Sequence, residues 1–381
     1  MVLRDDDDAK WVYQKHSRVK HEILTKYVGA FLAIVGRHWD TFFYIDAFAG
    51  RGSYLGGEPG SPTIAYSSIR QVLNKPWCKI KTVFLIYIEK NEANYFKLKK
   101  VVDILPPNPR IKIECLNSSF EDAFPSIITK HGAGLRHNPS FFFLDPFGYD
   151  DIPFEITERI FDFSLTGGRP EIFYTLMVGS INRFLDDPTK KVSFDKLFGY
   201  DEWQKDIQAI VAKAQCERPD AISRSFRDRL EKQTNAKFTL KYKFQNAETN
   251  AHIYDMVHAT TQYKGLEVMK PIMYNIGVKG SYEFHGRQEK QLRGIKTLES
   301  FMGLKTRPGQ PKLTDWLLTL PKDCPYTFEE LKKLVIRYTR EVVPGLREAL
   351  KELQNRKKIS VEKNSKKSKR GFADQDTITF L

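Results

Sequence analysis

Three carboxylates stand where apolar runs stop: Asp46 after Phe42-Phe43-Tyr44-Ile45, Glu89 after Val83 to Ile88, and Asp145 after Ser140-Phe141-Phe142-Phe143-Leu144. Apolar runs of that length read as buried strands. Parallel strands deliver their last residues to one edge of a sheet, which is where such sheets hold ligands. Asp46 opens into Ala47-Phe48-Ala49-Gly50-Arg51-Gly52, whose small residues let backbone approach a ligand closely. The loop lacks the Lys-Ser/Thr pair of a triphosphate-binding P-loop, and no G-x-G-x-x-G follows the strand, which disfavours NAD. Asp145 opens into Pro146-Phe147-Gly148. An exocyclic amine on an aromatic ring is a poor nucleophile, because the ring delocalises its lone pair. The Asp145 side chain and the Pro146 carbonyl could hold both amine hydrogens, with Phe147 stacked on the ring. The plainer alternative is that Pro146 and Gly148 only shape a tight turn.

Taken in order, Asp46-Ala47-Phe48-Ala49-Gly50, Gly60-Ser61-Pro62 and Asp145-Pro146-Phe147-Gly148 resemble the class I S-adenosylmethionine-dependent methyltransferase superfamily. More narrowly they resemble the family called three-Cys-motif partner proteins, over about residues 10 to 300. The resemblance implies S-adenosylmethionine as cofactor, with Asp46, Ala47, Phe48, Gly50 and Gly52 under its methionine part. It also implies Glu89 on the ribose hydroxyls, Ser119 and Phe120 framing the adenine, and Asp145, Pro146, Phe147 and Gly148 serving amino-group methylation. Ser118 or Ser119 is equally placed to cap the next helix. Two departures stand out. Arg51 replaces the proline usual in this loop, and Asp-Pro-Phe-Gly replaces the usual Asp-Pro-Pro-Tyr.

The elements that would hold these residues form an α/β, Rossmann-like class I methyltransferase domain, a mostly parallel sheet closed by an antiparallel hairpin. Residues 16 to 36 carry an apolar period at Val19, Ile23, Leu24, Tyr27, Phe31 and Ile34, an amphipathic helix against the sheet. Lys20 and His21 near its start could reach a cofactor carboxylate or belong to an exposed face. Residues 110 to 117 and 171 to 177 read as further strands. Residues 237 to 244, which alternate strictly, pair with 251 to 259 as the closing hairpin. Between them, 186 to 232 reads as inserted helices, with Arg224, Arg227 and Arg229 as a partner surface or a solvated face.

The domain assignment is 10–302 for this unit, 303–312 for a linker containing Pro308 and Pro311, and 313–381 for a winged helix-turn-helix. Its first helix falls at residues 313 to 318. The second starts after Thr327, with Glu330 completing a capping box, and a third carries Leu346, Ala349, Leu350 and Leu353. Short strands at 359–361 and 377–380 flank a loop whose tip holds Lys366, Lys367, Lys369 and Arg370.

Charge points the same way. The 381-residue chain carries 61 Lys and Arg against 47 Asp and Glu, and residues 305 to 370 supply +10 of the resulting +14. A basic segment suits a polyanion, so nucleic acid, DNA or RNA, is the expected partner of the wing. A separate three-Cys-motif protein is the other partner that the resemblance implies. The four cysteines are scattered without a C-x-x-C pair, which argues against a metal centre and fits a reducing cytoplasm. No membrane span or signal peptide is expected.

Four functional readings follow. The chain methylates a base amino group in nucleic acid, or binds S-adenosylmethionine without methylating, as a partner subunit. Alternatively it is a nucleic-acid-binding regulator that senses a nucleotide, or an NAD enzyme.

Overall fold

Phe42 to Ile45 alternate between two cores: Phe43 and Ile45 pack on one side of their strand, Phe42 and Tyr44 on the other. That period of two defines β1 (Thr41–Asp46) as a central strand buried on both faces. A computed structural model of the chain describes residues 11–246, 249, 251–276, 282–285, 312–322, 325–364 and 371–381. The chain divides into two compact units, Met1–Ile276 with Tyr282–Gly286, and Gly277–Ser281 with Arg287–Leu381.

In the first unit the other strands are β2 (Thr82–Ile88), β3 (Ile111–Leu116), β4 (Pro139–Leu144), β5 (Arg169–Leu176), β6 (Phe238–Gln245), β7 (His252–Thr260) and β8 (Glu283–His285). Their order is β3-β2-β1-β4-β5-β7-β6-β8. The first five run parallel, and β7 lies antiparallel to both β5 and β6. The mostly parallel sheet and its hairpin are therefore as the sequence suggests. The short β8, parallel to β6, was not anticipated, because three residues carry no readable pattern.

Helices cover both faces. On one side α1 (Lys15–Val35), α2 (Ser61–Leu73), α3 (Glu92–Asp103) and α10 (Tyr263–Ile276) pack against Phe42, Tyr44, Phe141 and Phe143. On the other side α4 (Phe120–Leu135), α5 (Phe154–Asp162), α6 (Val178–Phe184), α7 (Lys191–Phe198), α8 (Trp203–Ala214) and α9 (Arg218–Gln233) pack against Phe43, Ile45, Phe142 and Leu144. Behind the sheet, Glu171 of β5 accepts hydrogen bonds from Tyr27 of α1 and Thr260 of β7. His258 Nε2 lies 2.8 Å from the same carboxylate, so three segments distant in sequence share one buried group.

The second unit has α11 (Leu313–Leu317), β9 (Tyr326–Thr327), α12 (Phe328–Tyr338), α13 (Val343–Asn355), β10 (Ile359–Glu362) and β11 (Thr377–Phe380). The capping box forms: Thr327 accepts from the Glu330 backbone, and the Glu330 carboxylate accepts from Thr327. Val343-Pro344-Gly345 starts α13, with proline in the first turn where its missing N–H costs nothing. Strand β11 pairs with β10 and β9, and Leu331, Val335, Leu346, Leu350, Leu353 and Ile378 fill the core. The expected linker, apart from Lys312, and the tip residues Lys366, Lys367, Lys369 and Arg370 lie outside the described residues. Among the described residues no helix is long and apolar enough to cross a membrane.

Candidate functional site

The exits of the central strands are laced together by backbone. Ala47 N donates to Phe143 O at 3.0 Å, Ala49 N to Ile88 O at 2.8 Å, and Glu89 N to Leu116 O at 3.0 Å. These bonds set the loops after β1, β2, β3 and β4 side by side at one sheet edge. A cavity of about 240 Å³ opens there, between the Gly50 loop, the start of α1 and Asp145.

Asp46 lies buried behind the cavity lining. The side chain is fully buried, Oδ1 accepts from Phe48 N at 3.3 Å, and Oδ2 has no partner of good geometry. Burial drives its pKa up to about 7, with Asp145 adding repulsion. The nearby Ser61 hydroxyl and the Phe48 N–H pull the other way. The unfolded carboxyl ionises near 3.8, so between about pH 4 and 7 the folded chain holds a proton that the unfolded chain has lost. Asp46 therefore favours folding below pH 4, and that advantage disappears as pH rises through 7. Urea unfolding at pH 4.5, 6 and 7.5 should show the wild type losing roughly 2–4 kcal/mol relative to Asp46→Asn over that range. Parallel curves for the two proteins would reject the assignment.

The Gly50 loop is tightly built. Gly50 and Gly52 have φ of 62° and 78°, a region that other residues occupy only with strain. A Cβ at Gly50 would lie 2.4 Å from the Trp11 ring, so the glycine's first use is to seat a residue of this chain. Arg51, the departure from the family pattern, closes over that ring with its guanidinium 4.9 Å from the centroid. Its Nε donates to Asn94 Oδ1 at 2.9 Å. The charge beside the loop is thus turned onto Trp11 and Asn94.

Asp145 stands across the cavity. Thr175 of β5 donates to its Oδ1 at 2.6 Å, and Lys20 of α1 contacts its Oδ2 at 2.5 Å. Burial alone would lower the lysine's pKa. The Asp145 carboxylate, helped by Tyr254 and Tyr54, outweighs burial and raises it, so the ammonium stays charged. Neighbouring His21 is pushed down to about 3 by burial and the Lys20 ammonium, and is neutral. Phe147 is 66% exposed at the rim, with its ring edge 6.3 Å from Trp11. Gly148 N donates to Asp151 Oδ2 at 2.9 Å, which shapes the turn.

The sequence-derived residues divide accordingly. Phe48, Gly50, Gly52, Asp145, Pro146 and Phe147 line the cavity, and Ala47 and Asp46 lie immediately behind them. Glu89, whose Oε1 accepts from Asn91 N at 2.7 Å, and Ser119 stand at the adjoining strand exits and do not border it. Ser119 and Phe120 have structural roles. Phe120 is 1% exposed and packs edge-on to Phe124 in the core, while Ser119 caps α4 by accepting from Asp122 N. Both residues serve the start of that helix. Lys20 is no exposed residue either, since Asp145 holds it. Thr175, Met177, Ile253 and Tyr254 also line the cavity and escaped the sequence reading, because they sit inside apolar strands or just beyond their ends. Among the described residues no cluster of His, Cys, Asp and Glu could hold a metal.

No protein-family model matches the sequence, and no curated protein matches it. Among solved structures the chain is similar to protein LPL1258 of Legionella pneumophila, with TM-score 0.39 and 13% identity, over 64% of this chain and 84% of that one. It is also similar to the O-methyltransferase TomG of Streptomyces achromogenes in complex with SAM, with TM-score 0.30 and 12% identity, over 69% and 92%. A third is the O-methyltransferase of Bacillus cereus in complex with SAH, with TM-score 0.31 and 10% identity, over 67% and 96%. What the site can do has to come from its own residues.

Proposed function

We propose that the chain is an S-adenosylmethionine-dependent methyltransferase acting on an exocyclic base amino group in nucleic acid. The observation that carries this is Asp145, anchored by Thr175 and Lys20, facing the Asp46–Gly52 loop across a cavity rimmed by an exposed aromatic. The residues suit the cofactor. The buried Asp46 Oδ2 lacks a partner, Gly52 and Gly60 keep the loop close-packed, and Glu89 ends the neighbouring strand. When bound, S-adenosylmethionine supplies an electrophilic methyl group.

The chain's own residues then have an acceptor to prepare. Asp145 accepts a hydrogen from the amine, the Pro146 carbonyl accepts the other, and the nitrogen lone pair is drawn out of the ring. Phe147 offers the ring a face to stack on, which requires a single-stranded or extruded base. Alignment and exclusion of water supply the remaining rate, as displacement at a methyl carbon needs little more.

In the second unit the described residues hold three helices followed by a β-hairpin, which supports a winged helix-turn-helix that docks nucleic acid through its basic wing. Charge reversal at Lys366, Lys367, Lys369 and Arg370 should weaken nucleic-acid binding strongly and flatten its salt dependence, by about one unit of slope per lost phosphate contact. A gel-shift salt titration checks this. Unchanged affinity would assign the wing to protein docking instead.

A second reading draws on Lys20, which occupies the Asp145 oxygen that an amine would need. In that reading the chain holds S-adenosylmethionine without transferring its methyl, as partner to a three-Cys-motif protein. Calorimetry with S-adenosylhomocysteine, then transfer of labelled methyl to bulk RNA and DNA, separates the two. Binding without transfer favours the partner role. Tight NAD binding without any response to S-adenosylhomocysteine removes both.

A further inference from the structure

The cavity does not end at Asp145. It continues past the exits of β5 and the start of β7, where Thr175, Met177, Ile253 and Tyr254 form a wall opposite the Gly50 loop. With the cofactor on the Asp46 side of Asp145, this far wall meets whatever ring carries the amine. Its character is unusual for a surface facing a polar substrate. Met177 and Ile253 are apolar, and the Thr175 hydroxyl is committed to Asp145. His16, whose ring meets Tyr254 edge-on at 6.0 Å, has its pKa lowered by burial and by Lys20, so it adds no charge at neutral pH.

That leaves the Tyr254 hydroxyl. The residue is 6% exposed, and its oxygen is shielded from water with no hydrogen-bond partner among the described residues. A buried hydroxyl without a partner costs free energy, and native proteins keep such groups where a ligand or ordered water will satisfy them. Tyr254 has no proton to exchange near neutral pH, because burial raises its pKa beyond the normal tyrosine range. It can only give or accept a hydrogen bond. A wall with one uncommitted hydroxyl, beside a Lys20 and Asp145 whose charges are paired with each other, suits a neutral heteroaromatic ring that carries one polar ring atom beside its amine.

We infer that Tyr254 is a specificity-determining contact for the acceptor, hydrogen-bonding a ring nitrogen or carbonyl and thereby choosing which base is methylated. This rests on the methyl-transfer reading. A site that hydrogen-bonds its substrate discriminates against rings lacking the matching group far better than an apolar slot can. Tyr254 is not among the residues assigned to the cofactor, so its loss should leave the cofactor side of the cavity untouched.

The test compares wild type with Tyr254→Phe as full-length proteins. Labelled methyl transfer is measured on single-stranded oligonucleotides whose only amino-bearing base is adenine or cytosine, in DNA and RNA form. Affinity for the same oligonucleotides is measured by fluorescence with S-adenosylhomocysteine bound. The variant should lose on the order of tenfold in kcat/KM for the preferred base, as for one lost hydrogen bond, and discriminate less between the two bases. Its affinity for S-adenosylhomocysteine should stay within about twofold. If transfer, base preference and oligonucleotide affinity are the same in both proteins while S-adenosylhomocysteine binds, the Tyr254 assignment is overturned alone. If wild type fails to bind S-adenosylhomocysteine, the methyl-transfer reading falls and takes this one with it.

Discussion

Asp145→Ala should lower methyl transfer by at least about a hundredfold while changing S-adenosylhomocysteine affinity by no more than roughly threefold. The asymmetry follows from position. Asp145 lies across the cavity from the Asp46–Gly52 loop, and its two oxygens are held by Thr175 and Lys20 rather than by anything on the loop. Its removal takes away the acceptor that draws the amine lone pair out of the ring and leaves the cofactor cradle intact. Asp145→Asn refines the test. The amide keeps the shape and the Thr175 contact but halves the acceptor capacity, so activity should fall nearly as far, with some loss of stability because the Lys20 ammonium loses its counter-charge. Full activity in either variant would make Asp145 a turn residue and end the amino-methylation reading.

The second large effect concerns Lys20. Its side chain is 12% exposed and that of Asp145 20%, so Lys20→Met strands a mostly buried carboxylate without its cation. Breaking such a pair from one side is costly, and partial exposure reduces the loss to roughly 2–3 kcal/mol. Removing both charges in Lys20→Met/Asp145→Asn should restore most of that stability, because an uncharged pair leaves nothing unpaired. Transfer should not return. Denaturant unfolding of the single and double variants, with methyl transfer on each, reads the two effects separately. A single variant as stable as wild type would mean the pair contributes nothing to holding α1 over the cavity.

The sheet was legible because its signal is local and dense. Phe42 to Asp46 and Phe141 to Asp145 each declare a buried strand and its end within a handful of residues, and Gly50 and Gly52 declare the turn that follows. The residues that complete the site carry no such signal. Lys20 and Asp145 are 125 positions apart, and no period in α1 distinguishes a lysine facing a carboxylate from one facing water. Tyr254 sits in an ordinary apolar strand, where its aromatic ring reads as packing. Phe120 shows the opposite ambiguity. Its position suggested a ligand contact, but the same residue begins α4, and burying a helix's first apolar side chain is the commoner use of that place.

The shared carboxylate behind the sheet also dictates when the site comes into being. The Glu171 that binds Tyr27 comes 144 positions after it, and His258 a further 87. At about 5–20 residues per second, tens of seconds separate the emergence of α1 from that of its last partner. Until then α1 has α2, Phe42 and Phe141 to pack on, but lacks His258 and α10, which complete its enclosure in the finished protein. Lys20 travels on that helix. The nascent chain therefore gains the last bonds that fix α1, and with it the cation facing Asp145, only when β7 has closed the sheet. An unfinished or truncated chain ending before His258 carries the strands of the crevice with α1 only partly fixed, and leaves some of that helix's apolar face uncovered.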